Sequence, residues 1–171
     1  HLAERLPRAP ALRRVLRDGD TLAFDVEAGY YSGGAASGAS FERVQAGLVP
    51  ASIGDVYEEY RAYAFNDEDR GDWLIKAADA MHLVADQEGR AHGSLPVAFL
   101  ARGDTDAALP AFGRIPVTVE AKLSDRESTT SNTAEALYAR YPRYVGLKVE
   151  PNWIDAGSPV KLEGVVVTAE G

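Results

Sequence analysis

The chain has 171 residues, a formal net charge of −8 and no cysteine. This length suits one hydrophobic core, so we predict a single domain over residues 1–171. The missing cysteines exclude a disulfide scaffold and thiolate metal sites. Phosphate binding needs a basic surface, so the domain as a whole is not expected to bind free nucleic acid.

We predict that the N-terminal residues 1–19 form an arginine-rich arm. Apolar residues recur at helical spacing between positions 10 and 17, and proline is tolerated in a first helical turn, which predicts a short helix there. The arginines of the arm are Arg5, Arg8, Arg13, Arg14 and Arg17. They suit either a solvated helix face or an assembly arm that docks on an acidic neighbouring subunit, on lipid head groups or on nucleic acid.

Strands and a helix are predicted between residues 21 and 64. Residues 21–30 and 41–48 are strand candidates, and the first alternates apolar and polar side chains. The small residues between them predict a loop, with Tyr30 and Tyr31 as anchors at its base. Ser52 begins a predicted helix that extends to about residue 64, with Asp55 completing a capping box.

An acidic loop follows at residues 66–72. Asp67, Asp69 and Asp72 offer the oxygen ligands that Ca²⁺ prefers, although their spacing is not that of an EF-hand. The sequence therefore leaves two interpretations open, a Ca²⁺ site and a solvated loop.

Residues 73–101 are harder to assign. Residues 73–85 fit either one helix or two short strands, 73–76 and 81–85. Gly89 and Gly93 predict a turn over residues 86–94, and the apolar run 95–101 predicts a covered strand. His82 lies in an apolar run, which favours a packed histidine over a metal ligand.

The clearest strand is 114–123, where apolar and polar residues alternate through the whole stretch. A polar loop is predicted at 124–133 and a helix at 134–141, which Pro142 ends. Residues 144–150 are a strand candidate with Val145, Leu147 and Val149 on the buried face. A last strand, 158–169, changes face near Gly164, as a β-bulge would cause.

The count of about eight strand candidates, with two or three short helices in the connections, predicts an all-β fold. A single jelly roll or a related β-sandwich fits this number of strands. The sequence contains neither a nucleophile elbow nor a zinc-protease motif, and we expect no enzymatic activity and no cofactor, apart from the Ca²⁺ of one interpretation.

The strand count, the arm at 2–17, the absence of cysteine and the acidic, arginine-rich composition together resemble a known family. The layout resembles the single-jelly-roll coat proteins of tailless icosahedral viruses with an internal membrane. This resemblance implies a capsid protein of the virion. Its partners would be copies of itself, a second coat protein and, through the arm, the membrane.

The alternative is a β-sandwich binding module for carbohydrate or another surface ligand, at the cell surface or outside the cell. Its contact platform would consist of aromatic side chains. The candidates are Tyr30, Tyr31, Trp73 and Trp153. An enzyme that uses carboxylates of the 66–72 loop is a third hypothesis, and it would need a cleft with a perturbed carboxylate.

Overall fold

The computed structural model describes residues 15–30, 32–65, 75–77, 81–100, 109–122, 129–150 and 157–171. These residues form ten strands and two one-turn α-helices, which confirms the predicted all-β class. The strands are β1 (Val15–Leu16), β2 (Thr21–Glu27), β3 (Ser40–Pro50), β4 (Ile75–Ala77), β5 (Leu83–Val84), β6 (Arg90–Pro96), β7 (Phe112–Lys122), β8 (Thr129–Ala139), β9 (Arg143–Glu150) and β10 (Lys161–Thr168), and the helices are α1 (Ile53–Val56) and α2 (Val97–Leu100). None of the helices in these ranges has the length and apolar character to cross a membrane.

The strands form three sheets. The largest has the order β1-β8-β7-β3-β4, with β5 also paired to β3. Its strands are antiparallel except for β1, which runs parallel to β8. The other two sheets are the antiparallel pairs β2–β6 and β9–β10.

The two small sheets pack against opposite faces of the large one. Leu137 and Tyr138 are consecutive in β8, so their side chains point to opposite faces. Tyr138 joins the core beneath β2–β6, with Leu22 and Leu95. Leu137 joins a separate core with Tyr144 of β9. The large sheet is therefore the central layer of the described structure.

The alternation of apolar and polar residues predicted several strands correctly. The predicted strands at 21–30, 41–48 and 114–123 correspond to β2, β3 and β7. In β7, Ile115 and Val117 are buried, as their positions predicted. The capping box is also confirmed, because Ser52 Oγ accepts from the Gly54 amide at 3.3 Å and Asp55 accepts from the Ser52 amide at 3.2 Å.

Two helices predicted from the sequence differ in the structure. One is shorter than predicted, and the residues of the other form a strand. Helix α1 ends at Val56 and is followed by a 3-10 turn over Glu58–Tyr60, so the helix predicted over 52–64 was too long. The helix predicted at 134–141 was wrong, since these residues up to Ala139 belong to β8, and residues 129–133 of the predicted loop also lie in it. The unbroken pairing of β8 with β7 outweighs the helix propensity of these residues.

The region 73–101 is corrected in three places. The described parts of 73–85 contain β4 and β5, so two strands replace the helix interpretation there. The turn predicted over 86–94 is wrong beyond Gly89, because β6 begins at Arg90. The strand predicted over 95–101 is wrong at Val97–Leu100, which form α2, and the Val97 amide donates to the Asp20 carbonyl at 2.9 Å.

Within the arm, Val15–Leu16 is a strand where a helix was predicted. Its two residues pair with Leu137 and Tyr138 of β8. This pairing places Leu16 in the core, where it is 1% exposed.

Candidate interaction face

The outer surface of the β9–β10 hairpin is apolar and exposed. Val145 pairs with Val166, Leu147 with Gly164 and Val149 with Leu162, and paired residues point to the same face of a sheet. The side chains of Val145 and Val166 are each 62% exposed, and that of Leu162 is 67% exposed. We define the apolar face as the exposed aliphatic residues of β9 and β10 on this side of the hairpin, which are Val145, Leu147, Val149, Leu162 and Val166.

The orientation of β9 is opposite to the predicted one. Val145, Leu147 and Val149 were expected to be buried, and the structure exposes all three. The buried side of the strand carries Tyr144 and Gly146 instead. Gly146 lies against the ring of Phe65, since a Cβ at this position would be 2.6 Å from the ring. A glycine lets the aromatic ring pack directly on the backbone, so this side is the one that the domain buries.

Aromatic residues hold the hairpin from its inner side. Tyr60, Tyr63 and Phe65 have ring centroids 6.2–6.5 Å apart. Ala64 and Leu147 exchange two backbone hydrogen bonds of 2.9 and 3.0 Å, which join this segment to β9. The hairpin is therefore anchored on one face while its other face remains in water.

The charged side chains of the hairpin lie on the inner side and around its rim. Glu150 contacts the ammonium group of Lys148 and lies 3.7 Å from that of Lys161, and these cations lower the pKa of the Glu150 carboxyl. The Tyr63 hydroxyl donates to Glu163 at 2.6 Å, and this hydrogen bond raises the pKa of Tyr63. The residues of the apolar face are all aliphatic, and the exposed Arg143, which alternation sets on the same side of β9, lies at its end.

Two of the predicted site residues lie in the described part of the chain. Arg17 is in the turn after β1, where its amide donates to the Asp20 carboxylate at 2.9 Å. Tyr30 is 44% exposed beside the glycine-rich turn. The other candidates lie outside the described residues, and they are Arg5, Arg8, Arg13, Arg14, Asp67, Asp69, Asp72, Tyr31, Trp73 and Trp153. The arm, the Ca²⁺ site and the aromatic platform therefore stay predictions.

Polar pairs with catalytic residue types are at the surface. Ser40 Oγ lies 3.3 Å from His82 Nε2, so His82 is exposed and bonded to a serine where a packed histidine was predicted. His92 Nδ1 contacts the Asp25 carboxylate, and both side chains are largely exposed. Within the described ranges no group of three or more His, Asp or Glu could hold a metal ion. These pairs do not form an enclosed site, so the apolar face is the stronger candidate.

Comparison with solved structures finds a similar fold in part of Escherichia coli alpha-2-macroglobulin. The elastase-activated form matches 93% of this chain with a TM-score of 0.64 and 18% identity. The native form matches 100% with a TM-score of 0.59, and the trypsin-activated form matches 80% with a TM-score of 0.56, each at 17% identity. The chain spans 9–14% of the length of these proteins. No protein-family model and no curated protein matches it.

Proposed function

We propose that this chain is a non-enzymatic structural domain that associates with a second copy of itself through the apolar face. The observation that carries the proposal is the row of exposed aliphatic side chains on β9 and β10, which contains no charge. A contiguous exposed apolar surface typically marks a protein–protein contact. The alternating pattern of β9 also predicted a buried face, and association with a partner would bury it.

A second copy is a suitable occupant because of the charge distribution. The chain carries a net charge of −8, so two copies repel one another over most of their surfaces. In a two-fold symmetric contact the same patch lies on both subunits, and any charged residue near the axis meets its own equivalent. The aliphatic residues of the apolar face avoid this repulsion because they carry no charge, and Arg143 lies at the end of the face.

The predicted coat-protein role is a more specific form of this proposal. Assembly into a capsid would require further contacts beyond this one face. The jelly-roll arrangement of the all-β fold is a separate part of that proposal. The carbohydrate-binding alternative depends on an aromatic platform of which Tyr30 is the described member. Self-association is the part of these hypotheses to which the apolar face contributes directly.

The test is the solution mass of the full chain by light scattering over a range of concentrations. We expect a discrete dimer at about 100 µM, a concentration at which interfaces of micromolar affinity are occupied. Leu162→Lys combined with Val166→Lys should yield a monomer with an unchanged circular dichroism spectrum. Ser94→Lys is the matched control, because Ser94 is an exposed strand residue on β6, away from the apolar face.

A second candidate function follows from the fold comparison. The chain matches a small part of a long alpha-2-macroglobulin chain over most of its own length. We infer that the apolar face would then pack against another folded domain of a multidomain protein. A monomer at every concentration would contradict self-association and favour this candidate.

A further inference from the structure

Gly164 interrupts the apolar face with a recess. It is the register partner of Leu147, so the two residues form one row across the hairpin, next to the row of Val145 and Val166. Gly164 is exposed. Among the residues that the structure describes, and apart from its chain neighbours, a Cβ added at position 164 would meet one atom within 4 Å, the Leu147 Cδ2 at 3.8 Å. The space above this glycine is therefore open.

The side chain of Leu147 projects from the face directly beside this recess. It is 53% exposed, and its Cα lies on the strand adjacent to that of Gly164, about 4.8 Å away. Well-packed protein contacts insert the side chains of one surface into the gaps of the other. One row of the apolar face thus contains both halves of such a contact.

The position of Gly164 within a regular strand has a cost. Glycine weakens a strand interior, and it often marks a bulge or a site of close approach. The predicted bulge is absent from the described strands, because the pairing of β10 with β9 runs from Lys161 to Thr168 without a shift of register. On the inner side of the hairpin, the ring of Phe65 fills the space over Gly146. On the outer side, the space over Gly164 is open to a second molecule.

A second copy of the chain offers the same projection and the same recess. In a two-fold contact, a residue pair between the copies occurs twice with the roles exchanged. An axis that runs along the strands, between β9 and β10, places β9 of each copy over β10 of the other and keeps the rows aligned. Leu147 of each copy then lies over Gly164 of the other copy, so one arrangement fills both recesses.

The same axis also suits the charge at the end of the face. Arg143 is the register partner of Thr168, so these two residues form the last row. With the rows aligned and the strands exchanged, Arg143 of one copy faces Thr168 of the other. The two arginines therefore do not lie directly over one another, and like charges are kept apart.

We propose that two copies associate with Leu147 of each inserted into the recess over Gly164 of the other. This inference rests on the self-association proposed above, and it adds the register of the contact and the residues that make the face specific for a second copy. An unrelated apolar surface can cover the aliphatic side chains, but it does not present a leucine and a gap on adjacent strands.

The test exchanges the projection and the recess. Gly164→Leu fills the recess and should raise the dissociation constant of the dimer by about tenfold, because an overpacked contact holds the two copies apart. Leu147→Ala leaves the recess empty and should also weaken the dimer. The chain with both substitutions again has one projection and one recess in the row, so it should dimerise more tightly than either single variant.

An equal mixture of the two single variants provides a second readout. The Gly164→Leu chain has two leucines in the row and the Leu147→Ala chain has none, so the two faces complement each other. Native mass spectrometry should show more heterodimer than either homodimer. Ser94→Leu is the matched control, because it adds a leucine at an exposed strand position on β6 and should leave the dissociation constant unchanged. Circular dichroism compares the fold of every variant.

The outcomes distinguish this inference from the proposed function. A dimer that Gly164→Leu strengthens, a dimer that Leu147→Ala leaves unchanged, a double variant no tighter than the single variants, or a mixture without excess heterodimer would each overturn the packing of Leu147 on Gly164. Self-association through the apolar face would still stand in those cases. An unsubstituted chain that stays monomeric at about 100 µM would overturn both.

Discussion

The ring of Phe24 lies directly over Gly93 on the neighbouring strand. The two residues are register partners in β2–β6. A Cβ at position 93 would be 2.1 Å from the Cζ atom of the ring, far inside van der Waals contact. Glycine at this position allows the phenylalanine ring to lie against the backbone of β6.

We predict that Gly93→Ala destabilises the domain by about 1–3 kcal/mol, because the added methyl group must displace Phe24. Gly164→Ala is the matched control within another strand, where the nearest atom to an added Cβ is the Leu147 side chain at 3.8 Å. Urea unfolding followed by circular dichroism measures both free energies. Equal stability of the two variants would show that the ring moves aside without cost.

Gly93 also illustrates which elements could be predicted from the sequence. Alternation was sufficient for β2 and β7, where one face is apolar and the other polar. Glycine at position 93 predicted a turn, and the structure instead uses it for close packing within a strand. The sequence alone does not distinguish a glycine in a turn from a glycine that allows close packing within a strand. At position 93 the distinction depends on the neighbouring ring of Phe24, which is known only from the tertiary structure.

The candidate site was partly visible in the sequence, but its orientation was not. Alternation at Val145, Leu147 and Val149 located β9 and grouped the residues that form the apolar face. It could not show which side the domain buries, because Gly146 contributes no side chain to the pattern. The position of Phe65 decides this, and it depends on the tertiary fold.

The buried hydroxyl of Tyr138 provides a second prediction. Tyr138 is 0% exposed, and its hydroxyl donates to the carboxylate of Asp18. We expect Tyr138→Phe to lower the free energy of unfolding at pH 7 by about 1–2 kcal/mol, since the charge-assisted hydrogen bond is lost. Tyr30→Phe, at a side chain that is 44% exposed, should change it by less than about 0.5 kcal/mol.

The same residue makes stability dependent on alkaline pH. Burial and the hydrogen bond to Asp18 raise the pKa of Tyr138 above its ordinary value of 10.0. Below pH 10 this tyrosine is protonated in both the folded and unfolded states, so its contribution is complete. As the pH rises above 10, the unfolded chain loses the proton first, and the free energy of unfolding decreases.

Urea titrations between pH 8 and 11 should therefore show a shallower alkaline decline for Tyr138→Phe than for the unsubstituted chain. Part of the decline should persist, because burial also raises the pKa of Tyr144. Identical slopes for the two proteins would contradict the assignment of the decline to Tyr138.

Tyr57 joins helix α1 to the end of β10. Its buried hydroxyl donates to the Ala169 carbonyl at 2.9 Å. We expect Tyr57→Phe to destabilise the domain by about 1–3 kcal/mol, because the carbonyl loses this donor in a buried position. Tyr141→Phe, at a 49% exposed side chain, is the control for removing a tyrosine hydroxyl. Thermal unfolding measures the stability of both variants, and Tyr57→Phe should lower the melting temperature more than Tyr141→Phe does.

The salt dependence of association distinguishes an apolar contact from an ionic one. Two copies of a chain with net charge −8 repel each other, and the range of that repulsion decreases from about 10 Å at 0.1 M salt to about 3 Å at 1 M. The aliphatic residues of the apolar face carry no charge that salt could screen. Leu162 is the most exposed of them, so it is the residue that we substitute. Sodium chloride should therefore lower the dissociation constant of the dimer.

Sedimentation equilibrium at 0.1 and 1 M sodium chloride measures this change for the unsubstituted chain and for Leu162→Lys. The substituted chain should remain less associated at both concentrations, because screening cannot remove the cost of burying its ammonium group. A dimer that dissociates in high salt would instead place ion pairs at the interface and exclude the apolar face as its centre. Screening acts on charge alone, so the direction of the salt effect identifies the surface that joins the two copies.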